Sequence, residues 1–494
     1  MSDVLAALGI LAAVACSAAA ILLPSGRLRS AAMLAALVLV PALVLGDQWH
    51  THRIVDLRDH PSRLALLVAG AVAASLALAL VFRRWPTLLP LAIVAALPFR
   101  VPLHAGGESA NLLVPLYLVI AGGVLSAVAR SWSWTRRLPA TGPAGPATWV
   151  PRLLAAAVVL YGLQTLYSED FSKGLQNVCF FFVPFSLAYV LLREIEWDRR
   201  LLTLVLWVVG LEAVAFVVVG SVEWMSRSLF WNDQVIRSNE FHTYFRVNSV
   251  FWDPNIYGRY LALVSVVAMS ALVWARERRT LTLLTALIAI VWIGLFPTYS
   301  QSSFVALLAG LAVLAAFKWS LRWTLIAVGA FAVLGIAVVL LAGGASKLSP
   351  NRINVDTSGR ANLVSGGVHL FAQRPLYGYG SGSFPKAYRK HVRSHKAPVS
   401  VSHTEPITVA AEQGLVGLVL YVGLVLTALW TMASRAPGPA RIAVLAAFVA
   451  LVVHTMAYAG FYEDPITWVL LAAGASLAAV ESGAASSALG RPRL

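Results

Sequence analysis

The sequence predicts an all-α polytopic membrane protein with about 12–15 transmembrane helices and a large extracytoplasmic loop region. Three observations predict it. Apolar runs of roughly 17–25 residues, the length that crosses about 30 Å of hydrocarbon, recur along the whole chain. Of 494 residues, 59% are hydrophobic and only 12% charged, with a mean hydropathy of +0.76, against roughly 25% charged residues in a soluble domain. The basic residues also collect in short connections on alternate sides. Little chain remains for a soluble domain.

The predicted spans, in order, are 4–23, 30–46, 64–82, 86–98, 111–129, 153–167, 174–192, 201–222, 256–275, 281–296, 303–317, 323–343, 406–430, 442–460 and 465–480. The first has no basic segment before its apolar run and reads as a retained span, not a cleaved signal. The fourth is short enough to be re-entrant. Cys16 and Cys179 sit inside apolar runs, where each reads as a small buried hydrophobe, so neither a disulfide nor a metal is expected of them. Residues 141–151, TGPAGPATWVP, read as a Pro/Gly linker.

If all of these spans cross, one set of short loops carries Arg27 and Arg29, Arg83 and Arg84, Arg130, Arg136 and Arg137, Arg193, Arg199 and Arg200, Arg276, Arg278 and Arg279, Lys318 and Arg322, Arg435 and Arg441, and finally Arg491 and Arg493. By the positive-inside rule that side is cytoplasmic. The net charge of +16 reflects these loops first and an anionic ligand second; no nucleic-acid partner is expected. The organisation is then transmembrane helices over 1–343 with an outer loop at about 223–255, an extracytoplasmic loop over 344–405, and C-terminal helices with a cytoplasmic tail over 406–494.

Long loops escape the positive-inside rule, so their charge needs its own cause. The second loop has Lys347, Arg352, Arg360, Arg374, Lys386, Arg389, Lys390, Arg393 and Lys396 against Asp356 and Glu405. A positive field of that size suits an anionic substrate or acidic lipid headgroups.

Three stretches carry candidate chemistry. In RVNSVFWDPNIYGRYLA, Arg246 precedes a helix start at Asp253-Pro254-Asn255; an arginine beside a helix N-terminus is an anion site or a structural ion pair, and Asn255 reads as a cap. In SGRANLVSGGVHLFAQRPLYGYGSGSF, residues 360–373 have helical spacing, with Leu363, Val368, Leu370 and Phe371 available to pack. The alternate glycines Gly378, Gly380 and Gly382 that follow lack the strand and helix of a nucleotide fingerprint and read as a turn forced by sterics. In SHTEPITVAAEQGLVGLVLY, His403 ends the basic loop just before a helix opened by Pro406. Its imidazole can accept a proton near neutral pH. Glu405 either orients that ring or caps the helix, and Glu412, nine residues on from His403, turns to the opposite side and pairs inside the protein. His369, His391, His395 and His403 share the loop, yet no short metalloenzyme spacing occurs, so no metal is expected.

These three ordered motifs, within residues 240–425, resemble those of the O-antigen ligase and O-antigen polymerase (Wzy-type) superfamily, membrane glycosyltransferases of the GT-C type. The resemblance implies a glycan moved from a polyprenyl-diphosphate carrier to an acceptor hydroxyl, in a multi-pass protein of the cytoplasmic (inner) membrane with its active site on the extracytoplasmic side. It further implies that His403 activates the hydroxyl, that Arg246 and Arg360 bind the diphosphate, and that neither metal nor cofactor takes part. Partners would be the lipid-linked glycan donor, a glycan or glycolipid acceptor, and membrane lipids. The sequence departs from the family's pattern at Thr404, where the family usually has Asn, and at Gln301, where many members have Arg. Arg360, Lys347 or Arg352 would then compensate for the arginine missing at Gln301. Joining of repeat units by a polymerase on the same carrier is the first alternative reading, and a lipid-linked glycan transporter the second. A transporter should hold its ionisable groups at mid-membrane; the polar groups noted within spans are Glu212, Gln164 and His454.

Overall fold

The computed structural model describes residues 3–49, 59–105, 108–132, 149–230, 233–241, 244–343, 360–392, 401–434 and 436–489. Lys347, Arg352, Asp356, Arg393, His395, Lys396, Arg136, Arg137, Arg435, Arg491, Arg493 and most of the 141–151 linker lie outside the described residues.

The chain is an all-α membrane protein, and a helix lies within or across every predicted span. The first half comprises α1 (Asp3–Leu22), α2 (Arg27–Asp47), α3 (Pro61–Arg84), α4 (Leu88–Ala96), α5 (Val114–Trp132), α6 (Trp149–Thr165), α7 (Phe171–Leu192) and α8 (Arg199–Ser226). Then come a short α9 (Asp233–Phe241), α10 (Pro254–Trp274), α11 (Arg278–Leu295), α12 (Gln301–Lys318) and α13 (Leu321–Gly343). The C-terminal part has α14 (Arg360–Gln373), α15 (Phe384–His391), α16 (Glu405–Ala433), α17 (Pro439–Thr455) and α18 (Pro465–Leu489). Ten of these helices are long and apolar enough to cross a membrane. The segment predicted at 86–98 is helical only over the 9 residues of α4, about 13 Å of rise, which is too short to cross. An antiparallel hairpin follows it, β1 (Val101–Ala105) with β2 (Glu108–Leu112), which the sequence reading did not anticipate.

Burial sorts the helices into layers. The most apolar window of α7 is 83% buried inside the protein whereas that of α3 is 11%, so α7 is central and α3 faces lipid. A π-helical segment, Val178–Phe182, interrupts α7. Phe182 there stacks on Tyr161 and meets Trp468 edge-on, which ties α6, α7 and α18 into one core.

The basic connections meet at one end of the bundle. Arg29 at the start of α2 pairs with Glu194 after α7, and Arg193 donates to the carbonyl of Ile21 in α1. Ser476 of α18 bonds the carbonyl of Ile195, while Arg441 of α17 pairs with Glu481 of α18 at 3.1 Å. The other ends of α10, α12, α16 and α17 converge away from this cluster.

At that second end the glycine-rich turn after α14 is held between two elements. Gly380 has φ +96°, and a Cβ there would stand 2.3 Å from the Cα of Ser168 in the α6–α7 turn. Ser168 Oγ bonds the carbonyl of Ser381 at 2.9 Å, and the Gly380 N–H bonds the carbonyl of Glu412 at 2.8 Å. Gly414 breaks α16 with φ 67°, and its added Cβ would meet the carbonyl carbon of Leu376 at 2.4 Å. The turn therefore needs glycine for close approach and handedness together. Helix α14 buries Gly366, Gly367 and Leu370, whereas Val368, expected to pack, is 49% exposed. Gly380→Ala should cost about 2 kcal/mol or more and lower Tm. Gly70→Ala in α3, with nothing within 4 Å of its Cβ, should be neutral or mildly stabilising; thermal unfolding followed by tryptophan fluorescence separates the two.

Candidate active site

Helix α10 opens where Asp253 Oδ1 accepts the Asn255 N–H at 2.6 Å. The cap is thus Asp253, which frees Asn255 for another role. Asn255 Oδ1 accepts from Arg246 Nη2 at 3.2 Å and from Ser300 Oγ at 3.0 Å, so it joins the loop before α10 to the start of α12. Arg246 is fixed at three more points. Its Nε donates to the Thr298 carbonyl at 2.8 Å, and Asn239 of α9 bonds both its N–H and its carbonyl, at 3.0 and 2.9 Å. Beneath this loop the buried Glu223 of α8 accepts the N–H groups of Asn248 and Ser249, at 3.1 and 2.7 Å. Gln301 is exposed as the first residue of α12.

Arg360, the first residue of α14, donates to the Ala457 carbonyl at 3.4 Å. It lies close enough to Arg246 and to His403 to act on both electrostatically. Neither Arg246 nor Arg360 forms an ion pair among the described residues. Burial and the charge of Arg360 both weaken the Arg246 cation, against the pull of Asp253.

His403 sits in the left-handed region, φ 62°, a conformation that costs a non-glycine residue of order 1–3 kcal/mol and persists only where neighbours impose it. Those neighbours are visible. Ser402 Oγ accepts the Thr404 N–H at 3.2 Å and bonds Thr408 Oγ1 at 2.8 Å, and Thr404 Oγ1 donates to the Met456 carbonyl at 3.0 Å. The imidazole meets the Tyr458 ring edge-on at 6.1 Å. Burial first, and Arg360 second, pull its pKa down to about 4, against Asp253. The ring is therefore neutral across the physiological range.

Glu405 does not cap its own helix with its side chain. Its Oε2 accepts the N–H groups of Gly460 and Phe461, at 2.6 and 3.0 Å, and so holds the α17–α18 loop that carries Tyr458. Glu412 accepts from Gly382 and Phe384, at 2.8 and 3.0 Å. Seven residues apart is two helical turns, so Glu412 shares the face of Glu405, and both line one cleft; it does not turn to the opposite side.

The structure thus brings His403, Arg246, Arg360 and Asn255 to one end of the bundle, with Glu405 and Glu412 bracing the loops beside them. Sequence reasoning missed Tyr458 and an ion pair. Arg259 lies inside the predicted span 256–275 but was not counted with Glu212, Gln164 and His454 as a polar group of the spans. It is 4% exposed, stands 2.8 Å from Asp464 and approaches the Tyr458 ring at 5.9 Å. An arginine within an apolar run was the available signal. Among the described residues no cluster of His, Cys, Asp and Glu is arranged to hold a metal ion.

No curated protein matches the chain. A family model does, over residues 284–422, which hold Gln301, Arg360, His403, Glu405 and Glu412 and stop short of Arg246 and Asn255. That model is described as O-Antigen ligase, so the chain is similar, across this segment, to the O-antigen ligase and polymerase superfamily.

Proposed function

We propose that the protein is a membrane glycosyltransferase that moves a glycan from a polyprenyl-diphosphate carrier to an acceptor hydroxyl on the extracytoplasmic face of the cytoplasmic membrane. The observation that carries this reading is the pairing of an electrically neutral, strained His403 with two guanidinium groups, Arg246 and Arg360, that form no ion pair among the described residues. Two half-buried cations held close together favour a dianionic guest, and a diphosphate offers that charge with acceptor oxygens for both forks.

In the proposed step the acceptor hydroxyl attacks the anomeric carbon as His403 takes its proton. The carbon–oxygen bond to the diphosphate breaks, and its electron pair leaves on the diphosphate, where Arg246 and Arg360 stabilise it. Direct displacement inverts the anomeric centre. Charge balance also tunes the base. A bound diphosphate offsets Arg360, which raises the imidazole pKa from about 4 toward its ordinary value and makes it a stronger base only when donor is present. The catalytic loop over 344–405 would lie outside, with the basic connections inside. Ligation is favoured over transport because the unpaired cations gather at one end of the bundle and not at mid-membrane.

The assay is transfer from purified lipid-linked glycan in detergent. His403→Ala should lose roughly 10²- to 10⁴-fold in kcat, and Arg246→Lys should also be damaged because an ammonium lacks the two-pronged donor set. Activity should fall with acid as the imidazole protonates. The limb in kcat/KM, which reports free enzyme, should lie near pH 4, and the limb in kcat at higher pH. An acid limb near 6.5 in both, retained in His403→Ala, would contradict the assignment. One discrete adduct per acceptor identifies a ligase; a ladder on the carrier identifies a polymerase.

Sidedness has its own test. A cysteine replacing the exposed Lys386 of α15, in a chain with Cys16 and Cys179 changed to serine, should react with an impermeant maleimide on intact cells. Protection there, with labelling only after the membrane is opened, would invert the topology.

A further inference from the structure

A cleft lies close to His403 in sequence and opens between α6, α7, α15, α16 and the α17–α18 loop, with a volume of about 550 Å³ that includes its open mouth. Val401 and Glu405, two residues to either side of His403, both line it. Its polar lining is unusual in kind. Glu405, Glu412 and Glu463 contribute carboxylates, with Lys173 the single cation, and Tyr161 and Tyr462 provide aromatic walls.

Most of these groups present acceptors. Glu412 is occupied by two backbone N–H groups. Glu463, partly buried, receives one bond at Oε1, from Asn177 Nδ2 at 3.1 Å. Asn177, 2% exposed, gives its other amide hydrogen to Tyr161 at 2.7 Å, which leaves its Oδ1 buried with no partner. A buried acceptor without a donor is costly. Among the described residues Glu463 Oε2 accepts no bond, so the cleft suits a guest that brings hydrogen-bond donors to a carboxylate.

We infer that this cleft is a sugar-binding subsite for a neutral, hydroxyl-rich pyranose. Hydroxyls donate to Glu463, which Asn177 holds in place, and the ring lies in the mouth of the cleft by Lys173. A diphosphate has no hydrogens to give to Glu463, so the cleft suits it less well than Arg246 and Arg360 do. Which substrate brings the sugar, donor or acceptor, rests on the transferase reading; the sugar contact itself does not.

Binding is read without turnover, by saturation-transfer NMR on the full chain in lipid nanodiscs. The probes are the methyl glycosides of glucose, galactose and N-acetylglucosamine, with methyl glucuronide for contrast. At least one neutral probe should receive saturation, methyl glucuronide several-fold less, and Arg246→Ala should leave the neutral signal unchanged. Glu463→Gln, which keeps the shape, and Asn177→Leu should each reduce it several-fold. Lys173→Glu, at an exposed position, should lower the glucuronide signal further. No binding by any neutral probe, or binding that survives both Glu463→Gln and Asn177→Leu, overturns the subsite. In the transfer assay, a raised KM in Glu463→Gln for the acceptor or for the lipid-linked donor identifies which sugar is held, and two unchanged KM values overturn the proposal. A chain that binds sugars through Glu463 but transfers nothing keeps the subsite and removes the transferase reading; transfer without sugar binding does the reverse.

Discussion

The second end of the bundle depends on two carboxylates of α16. Glu405 and Glu412 are 5% and 6% exposed, and a buried carboxylate is tolerated only if its oxygens are hydrogen-bonded. Each solves this with a pair of backbone N–H groups, Gly460 and Phe461 for one, Gly382 and Phe384 for the other. One helix face thereby fixes two loops distant in sequence. The first loop presents Tyr458 to His403, and the second runs from α14, whose first residue is Arg360, into α15. Their anchoring explains how a residue with the backbone strain of His403 stays in place.

Around that anchor, charge is sorted by sign. Arg246 and Arg360 have no ion-pair partners among the described residues, and Glu405, Glu412 and Glu463 line a separate cleft that neither arginine lines. Arg259 is a third cation of this end, yet it is engaged with Asp464. That pair joins α10 to the start of α18 behind Tyr458 and supports the wall of the site. In a low-dielectric setting such separation is expensive unless each group meets its complement.

The fold was legible because lipid imposes a simple rule. Backbone polar groups in hydrocarbon must be satisfied within the segment, so each apolar stretch between basic connections became a helix. The rule fails for α4 and the β1–β2 hairpin, where the chain turns back short of a full crossing and length no longer discriminates. The helix starts at Asp253-Pro254 and at Pro406 were also legible, since capping and proline act locally. What escaped was set by contacts across the sequence. Asn255 reads as a cap until Arg246 and Ser300 are seen on its amide oxygen, and Glu412 was assigned the wrong face because His403, outside the helix, was used as its reference. Tyr458 carries no local signal, being brought to His403 by bonds from Glu405, Thr404 and Arg360 to its loop.

The central claim is that Arg246 and Arg360 hold a lipid diphosphate beside His403. The most direct measurement is a cryo-EM structure of the His403→Ala chain in nanodiscs with polyprenyl-diphosphate glycan bound. The account predicts diphosphate density within hydrogen-bond reach of both guanidinium groups, about 2.7–3.2 Å, with the first sugar directed toward the cleft of Glu463. Diphosphate density at any other part of the surface, with Arg246 and Arg360 unoccupied, would contradict it.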